Sequence, residues 1–121
     1  MAIILLWAAV VETGVADVPR VEVEYQAPHS LVTTPYTGDQ SVSVREGETV
    51  MIRCRWEGNP AASVVWRRAG VPGVWSTEEE VVLDKVGKEQ AGVYTCTAHN
   101  SLGVSSPKEI VLNVECKWWG V

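Results

Sequence analysis

Hydrophobic and polar residues alternate along most of this chain with a period of two, the spacing of a half-buried β-strand. Val21, Val23 and Tyr25 alternate with charged residues over positions 17–25, which predicts an early strand. Val42 and Val44 share one face of 41–45, and Val50, Ile52, Cys54 and Trp56 share one face of 49–56. A further run, 62–68, centres on Val64 and Trp66. Val81, Leu83 and Val86 suit a strand and its exit. Tyr94, Cys96 and Ala98 alternate inward in the next strand, and Ile110, Leu112 and Val114 complete the last. Turn residues separate these runs: Glu46-Gly47-Glu48, Glu57-Gly58-Asn59-Pro60, the cluster Gly70, Pro72 and Gly73, and a hairpin glycine at Gly103. Residues 26–40 hold Pro28, Pro35 and Gly38 among Ser, Thr and Gln, the composition of a linker or an irregular edge segment. Only the short stretch 85–91 approaches a helical spacing, and it reads better as a turn. Short strands, frequent turns and no convincing helix predict an all-β sandwich or barrel.

Composition narrows this further. A length of 121 residues suits one domain, and 46% hydrophobic with 21% charged residues excludes chain-wide disorder. A net charge of −5 gives no electrostatic attraction to nucleic acid or to an anionic membrane. Arg53, Arg55, Arg67 and Arg68 alternate with apolar neighbours and read as a solvated outer face. The three cysteines, Cys54, Cys96 and Cys116, match no zinc spacing, so they imply one disulfide with a spare thiol, or an intermolecular pair. Residues 2–11 form an unbroken apolar run. A bilayer takes about 20 such residues, so this run is too short to span one. It fits the apolar core of a secretory signal, with Gly14-Val15-Ala16 as the cleavage site before Asp17, although no Lys or Arg precedes it. Residues 1–16 are therefore expected to be a signal peptide, and no second long apolar run predicts a membrane anchor.

Cys54 is followed by Trp66, and Tyr94 stands two residues before Cys96. This Cys…Trp…Tyr-x-Cys arrangement resembles the immunoglobulin superfamily. Gln90-Ala91-Gly92-Val93-Tyr94-Thr95-Cys96-Thr97-Ala98-His99-Asn100 is similar to its Asp-Ala-Gly-x-Tyr-x-Cys-x-Ala-x-Asn segment. Gly58-Asn59-Pro60 with Val65-Trp66 is similar to the same region of I-set and C2-type domains. The resemblance covers residues 28–114. It implies an immunoglobulin-like two-sheet antiparallel β-sandwich, a Cys54–Cys96 disulfide, Trp66, Tyr94 and Leu83 in the core, and an unpaired thiol at Cys116. Gln90 departs from the family's usual Asp, and 75–80 offers no basic partner for it, so the corner before Tyr94 is expected to be less constrained. The tail 115–121, with Trp118 and Trp119, does not resemble the start of a further domain. Only 28 residues separate Trp66 from Tyr94 and no Phe-Gly-x-Gly follows, which argues against a variable-type domain. Residues 21–28 resemble the last strand of a preceding domain entering a Tyr-x-x-Pro junction, as in nephrin and its relatives; within 17–40 this competes with a simple first strand and linker.

His29 and His99 lack a recognisable nucleophile or paired carboxylate around them, so no enzyme and no cofactor are expected. Glu78-Glu79-Glu80 reads as a solvated turn, since calcium loops need spaced oxygen ligands. Asn59, Asn100 and Asn113 all fail the glycan acceptor rule. Trp75 is the candidate partner contact, with core or sheet-edge packing as the alternative. The expectation is an extracellular binding module of a cell-surface or secreted adhesion or recognition protein. Its partners would be other extracellular proteins, a second copy of itself included. The alternative is an intracellular structural module of the titin kind, whose cysteines would stay reduced.

Overall fold

The computed structural model describes residues 16–116. The expected signal peptide, apart from Ala16, and the tryptophans of the tail lie outside them. Among the described residues nine strands follow one another: β1 (Asp17–Gln26), β2 (Thr34–Pro35), β3 (Val42–Arg45), β4 (Val50–Asn59), β5 (Ser63–Arg68), β6 (Glu80–Leu83), β7 (Gly92–Asn100), β8 (Gly103–Val104) and β9 (Lys108–Glu115). A single 3-10 turn, Lys88–Gln90, precedes β7, where a turn is expected. One sheet has the order β2-β1-β4-β6; the other has β3-β9-β7-β5, with β8 on β7. The expected all-β two-sheet sandwich is what forms. Its pairs are antiparallel with one exception, the parallel β3–β9 pair.

The alternating residues bury the face that the pattern predicts. Val21 and Val23 on β1, Val50, Ile52 and Cys54 on β4, and Tyr94, Cys96 and Ala98 on β7 all lie in one core. Cys54 and Cys96 are joined by a disulfide between the two sheets. Trp66 lies directly opposite Cys96 in the β5–β7 ladder and is fully buried. Its indole N–H is buried without an acceptor. Such an orphan donor costs about 1–3 kcal/mol. Burying so large an aromatic surface offsets that cost, since truncating a buried Trp typically loses about 3–5 kcal/mol.

Two local readings need correction. The turn expected at 57–60 begins later, because β4 runs on to Asn59 with Asp17 and Arg20 opposite Asn59 and Glu57. Gly58 permits this close approach: a Cβ there would stand 3.0 Å from the Cα of Pro19. The reversal into β5 is left to residues 60–62. The stretch 26–40 is irregular as expected, save that Thr34 and Pro35 pair with Tyr25 and Glu24. At the turn after β3, Gly47 has φ 88°, a conformation that favours glycine, and its N–H donates to the Val86 carbonyl at 2.8 Å.

The disulfide closes a loop of 42 residues. The chain-entropy model assigns such a loop about 4 kcal/mol. Replacing both Cys54 and Cys96 with Ala is expected to lower unfolding stability by about that amount, read from the urea midpoint of the oxidised and double-variant chains.

Candidate interaction surface

The corner before β7 shows how the second sheet is braced. The Tyr94 hydroxyl donates to the carbonyl of Gln90, four residues earlier. The Gln90 side chain accepts from the Gly87 N–H at 2.8 Å. Arg68, at the end of β5, donates to the carbonyls of Glu89 and, at 3.2 Å, Ala91. Its guanidinium also lies 5.4 Å from the centroid of the Tyr94 ring. Arg68 is therefore not on the solvated outer face, and the corner is not loosened by Gln90. The basic residue missing from 75–80 is supplied from the end of β5, where Arg68 continues the inward set of Val64 and Trp66 and stands opposite Tyr94. Trp75 packs against the same tyrosine, ring centroids 4.9 Å apart, and its backbone N–H donates to the Trp66 carbonyl at 2.8 Å. This expected contact residue is thus half-buried at the β5 edge.

The two outer faces differ in chemistry. On the first sheet, Glu22 and Glu24 of β1 stand opposite Arg55 and Arg53 of β4, and Arg53 stands opposite Glu80 of β6. The charges are matched within the face: Arg55–Glu24 at 3.8 Å, Arg53–Glu80 at 3.9 Å, and Arg20 with Asp17 and Glu57 at 2.9 and 3.3 Å. On the second sheet, the positions between the buried ones are Val65 on β5, Val93, Thr95 and Thr97 on β7, and Val111 on β9, all half-buried. Val65 faces Thr97, and Val93 faces Val111. Charge enters this face at Arg67 and Glu109, which flank Thr95 between the Val65–Thr97 and Val93–Val111 pairs. The strand pattern marked these positions as outward, but only the sheet order assembles them into one patch.

At the end of the sandwich, Asn100 donates to the carbonyls of Asp17 at 2.9 Å and Pro60 at 3.0 Å, and accepts from the Leu102 N–H at 2.8 Å. It ties the start of β1, the β4–β5 turn and the β7–β8 hairpin together. Among the described residues, no group of three His, Cys, Asp or Glu side chains is placed to hold a metal ion. His29 is exposed 3.6 Å from Glu48, and His99 is exposed on β7 opposite Ser63, so the two histidines stand on separate elements. Cys116 is exposed and free.

With disulfide, indole and tyrosine corner in place, the family can be assigned. The model described as immunoglobulin domain matches residues 30–115. The chain belongs to this family. Peroxidasin of Drosophila melanogaster is 34% identical over 87 residues, covering 65% of the chain and 6% of that protein. Human Kin of IRRE-like protein 3 is 35% identical over 78 residues, covering 64% of the chain and 10% of that protein. Lachesin of Schistocerca americana is 37% identical over 81 residues, covering 63% of the chain and 23% of that protein. The chain thus spans a small part of the length of these relatives. Among solved structures, the mouse nectin-like molecule 4 ectodomain superposes with a TM-score of 0.60 at 25% identity, covering 86% of this chain and 32% of that one. A chimeric titin Z1Z2 superposes with a TM-score of 0.58 at 25% identity, covering 85% and 99% respectively. The immunoglobulin domain is a non-catalytic fold, and those relatives include adhesion-type proteins.

Burial holds the Tyr94 phenol above its ordinary value, and the Arg68 charge partly offsets this. The stability this gives is whole below about pH 10, where both folded and unfolded phenols are protonated. Above it the unfolded chain loses the proton first, so stability falls as pH rises through the folded value. Tyr94→Phe is expected to cost about 1 kcal/mol at neutral pH and to flatten the alkaline fall. Thermal melts from pH 7 to 11 read both effects.

Proposed function

We propose that this immunoglobulin domain is an extracellular binding module of an adhesion or recognition protein, and that it docks another extracellular protein on the β5–β7–β9 face. The contrast between the outer faces carries the reading. A protein interface is depleted of charge at its centre and polar at its rim. Val65, Thr97, Thr95, Val93 and Val111 form an outward set low in charge, in which Arg67 and Glu109 stand on the two sides of Thr95. The other face spends its charges on internal pairs. The exposed part of Trp75 extends the contact at the β5 edge. Relatives such as lachesin and the Kin of IRRE-like proteins support an adhesion role. The Cys54–Cys96 bond supports an oxidising compartment rather than the interior position of a titin-like module.

Two measurements test this. Expressed in a secretory cell, the chain should leave as a product with Cys54–Cys96 oxidised and Cys116 free to thiol label; retention with reduced cysteines favours the intracellular alternative. A multimerised secreted chain, applied to cells or to itself on beads, should lose about tenfold or more in binding on Thr97→Glu and little on Arg55→Glu. Equal loss from the two substitutions, with both variants folded, would sink the assignment of the face.

A further inference from the structure

β6 ends its sheet: it pairs with β4, and among the described residues no strand lies on its other side. The chain between β5 and β6 has no length to spare for one. Ser76 is still bonded to Trp66 of the other sheet, and Glu79 already accepts from Cys54 of β4, so Thr77 and Glu78 alone cross from one sheet to the other. The Cys54 N–H reaches the Glu79 carbonyl at 2.8 Å, which makes these two a hydrogen-bonded pair of the antiparallel ladder. Alternation gives the same role to Ile52 with Val81 and to Val50 with Leu83. The backbone N–H and C=O groups of Glu80 and Val82 therefore point away from β4, toward the open side. Such a row is a template for a further strand.

Beside this edge the outer face of the sheet turns apolar. Met51 stands opposite Val82, and both line a hollow of about 330 Å³ with Ala27, Thr49 and His29. The turn after β1 walls the hollow, where the Gln26 side chain donates to the Ser30 carbonyl at 2.6 Å. Val82 is 58% exposed there. Exposed acids frame it along the chain, Glu78 and Glu80 before it and Asp84 after it. A second copy of this chain fits the edge poorly. Antiparallel pairing centred on Val82 would set Glu80 opposite Asp84 twice, and like charges directly opposite destabilise. The same acids favour a basic partner. We propose that the β6 edge binds an extended segment of another protein by antiparallel strand addition, with a leucine-sized side chain beside Val82 reaching the Met51 hollow and Lys or Arg opposite Glu80 and Asp84. Apolar residues between these positions face Val81 and Leu83 and extend the core. Glu80 then stands between Arg53 and the incoming cation. The site uses no residue of the β5–β7–β9 face proposed above, and neither depends on the other.

The probe is a soluble peptide whose centre reads Lys-Val-Leu-Val-Lys, titrated into the full chain. Saturation should slow hydrogen exchange of the Glu80 and Val82 amides about tenfold or more, while those of Val81 and Leu83, already bonded to β4, change little. Val82→Pro removes an N–H that β4 does not use, so the variant should keep a cooperative melt and lose about tenfold in peptide affinity. Methylating the leucine nitrogen of the peptide should cost as much against the unaltered chain, and still reads the edge if the proline variant unfolds. Replacing both lysines of the peptide with Glu should weaken binding by about tenfold or more. Failure of the probe to bind, undiminished affinity of the methylated or the Glu peptide, or unprotected amides at 80 and 82 would overturn the inference. So would a chain that dimerises by itself and loses the dimer on Val82→Pro, since a second copy would then own the edge.

Discussion

The structure depends on one inter-sheet crosslink and the aromatic ring set beside it. Cys54 belongs to the sheet that holds β1 and β6, and Cys96 to the sheet that holds β3, β9 and β5. Their bond constrains the unfolded chain and keeps two small sheets in contact. Trp66, opposite Cys96, supplies the bulk that a chain of this size needs at its centre. Valines and isoleucines of modest volume then suffice around it: Val44, Val50, Ile52 and Ile110 are all fully buried. The orphaned indole N–H shows that packing at this point outweighs hydrogen-bond satisfaction.

From that centre the tyrosine corner extends order to the end of the second sheet. Tyr94 is held from three sides, by the Gln90 carbonyl, the Arg68 guanidinium and the Trp75 ring. Arg68 also fastens the carbonyls on both sides of Gln90. The same contacts brace the β5–β7 edge of the sheet that carries the outward Val and Thr residues. A surface with few charges loses little desolvation energy on docking, whereas the first sheet would have to break its own ion pairs. Salt bridges as exposed as these contribute little to stability, so their larger effect is on which face stays in water.

The two ends of the domain behave differently. Asn100 gathers three chain segments at one end into a hydrogen-bonded knot. At the other, the connection from β1 to β3 is held to β1 by Thr34, Pro35 and the Tyr36 N–H, and leaves Leu31 and Val32 in solvent. The firm end and the loose connection belong to the same strand. β1 is anchored where it begins and followed by an irregular segment where it ends.

Much of this was legible in the residues themselves. Period-two alternation identified the inward set, from Val50, Ile52 and Cys54 to Ile110 and Leu112, because one buried face per sheet forces that spacing. The Cys…Trp…Tyr-x-Cys arrangement was enough to expect the family and its disulfide. Pairing was not legible. Alternation says which side of a strand is buried and nothing about which strand lies beside it, so the parallel β3–β9 pair and the seat of β1 against β4 appear only in the folded chain. Arg68 was misread because it was grouped with Arg67 on one outer face, whereas consecutive strand residues face opposite sides and Arg68 follows Val64 and Trp66 inward, opposite Tyr94. The outward patch escaped notice for a related reason: Val65, Thr97 and Val111 are far apart in sequence, and only the sheet order makes them neighbours. Sequence alone determined which residues must be hidden from water; tertiary structure decided what each of them, and each exposed residue between them, stands next to.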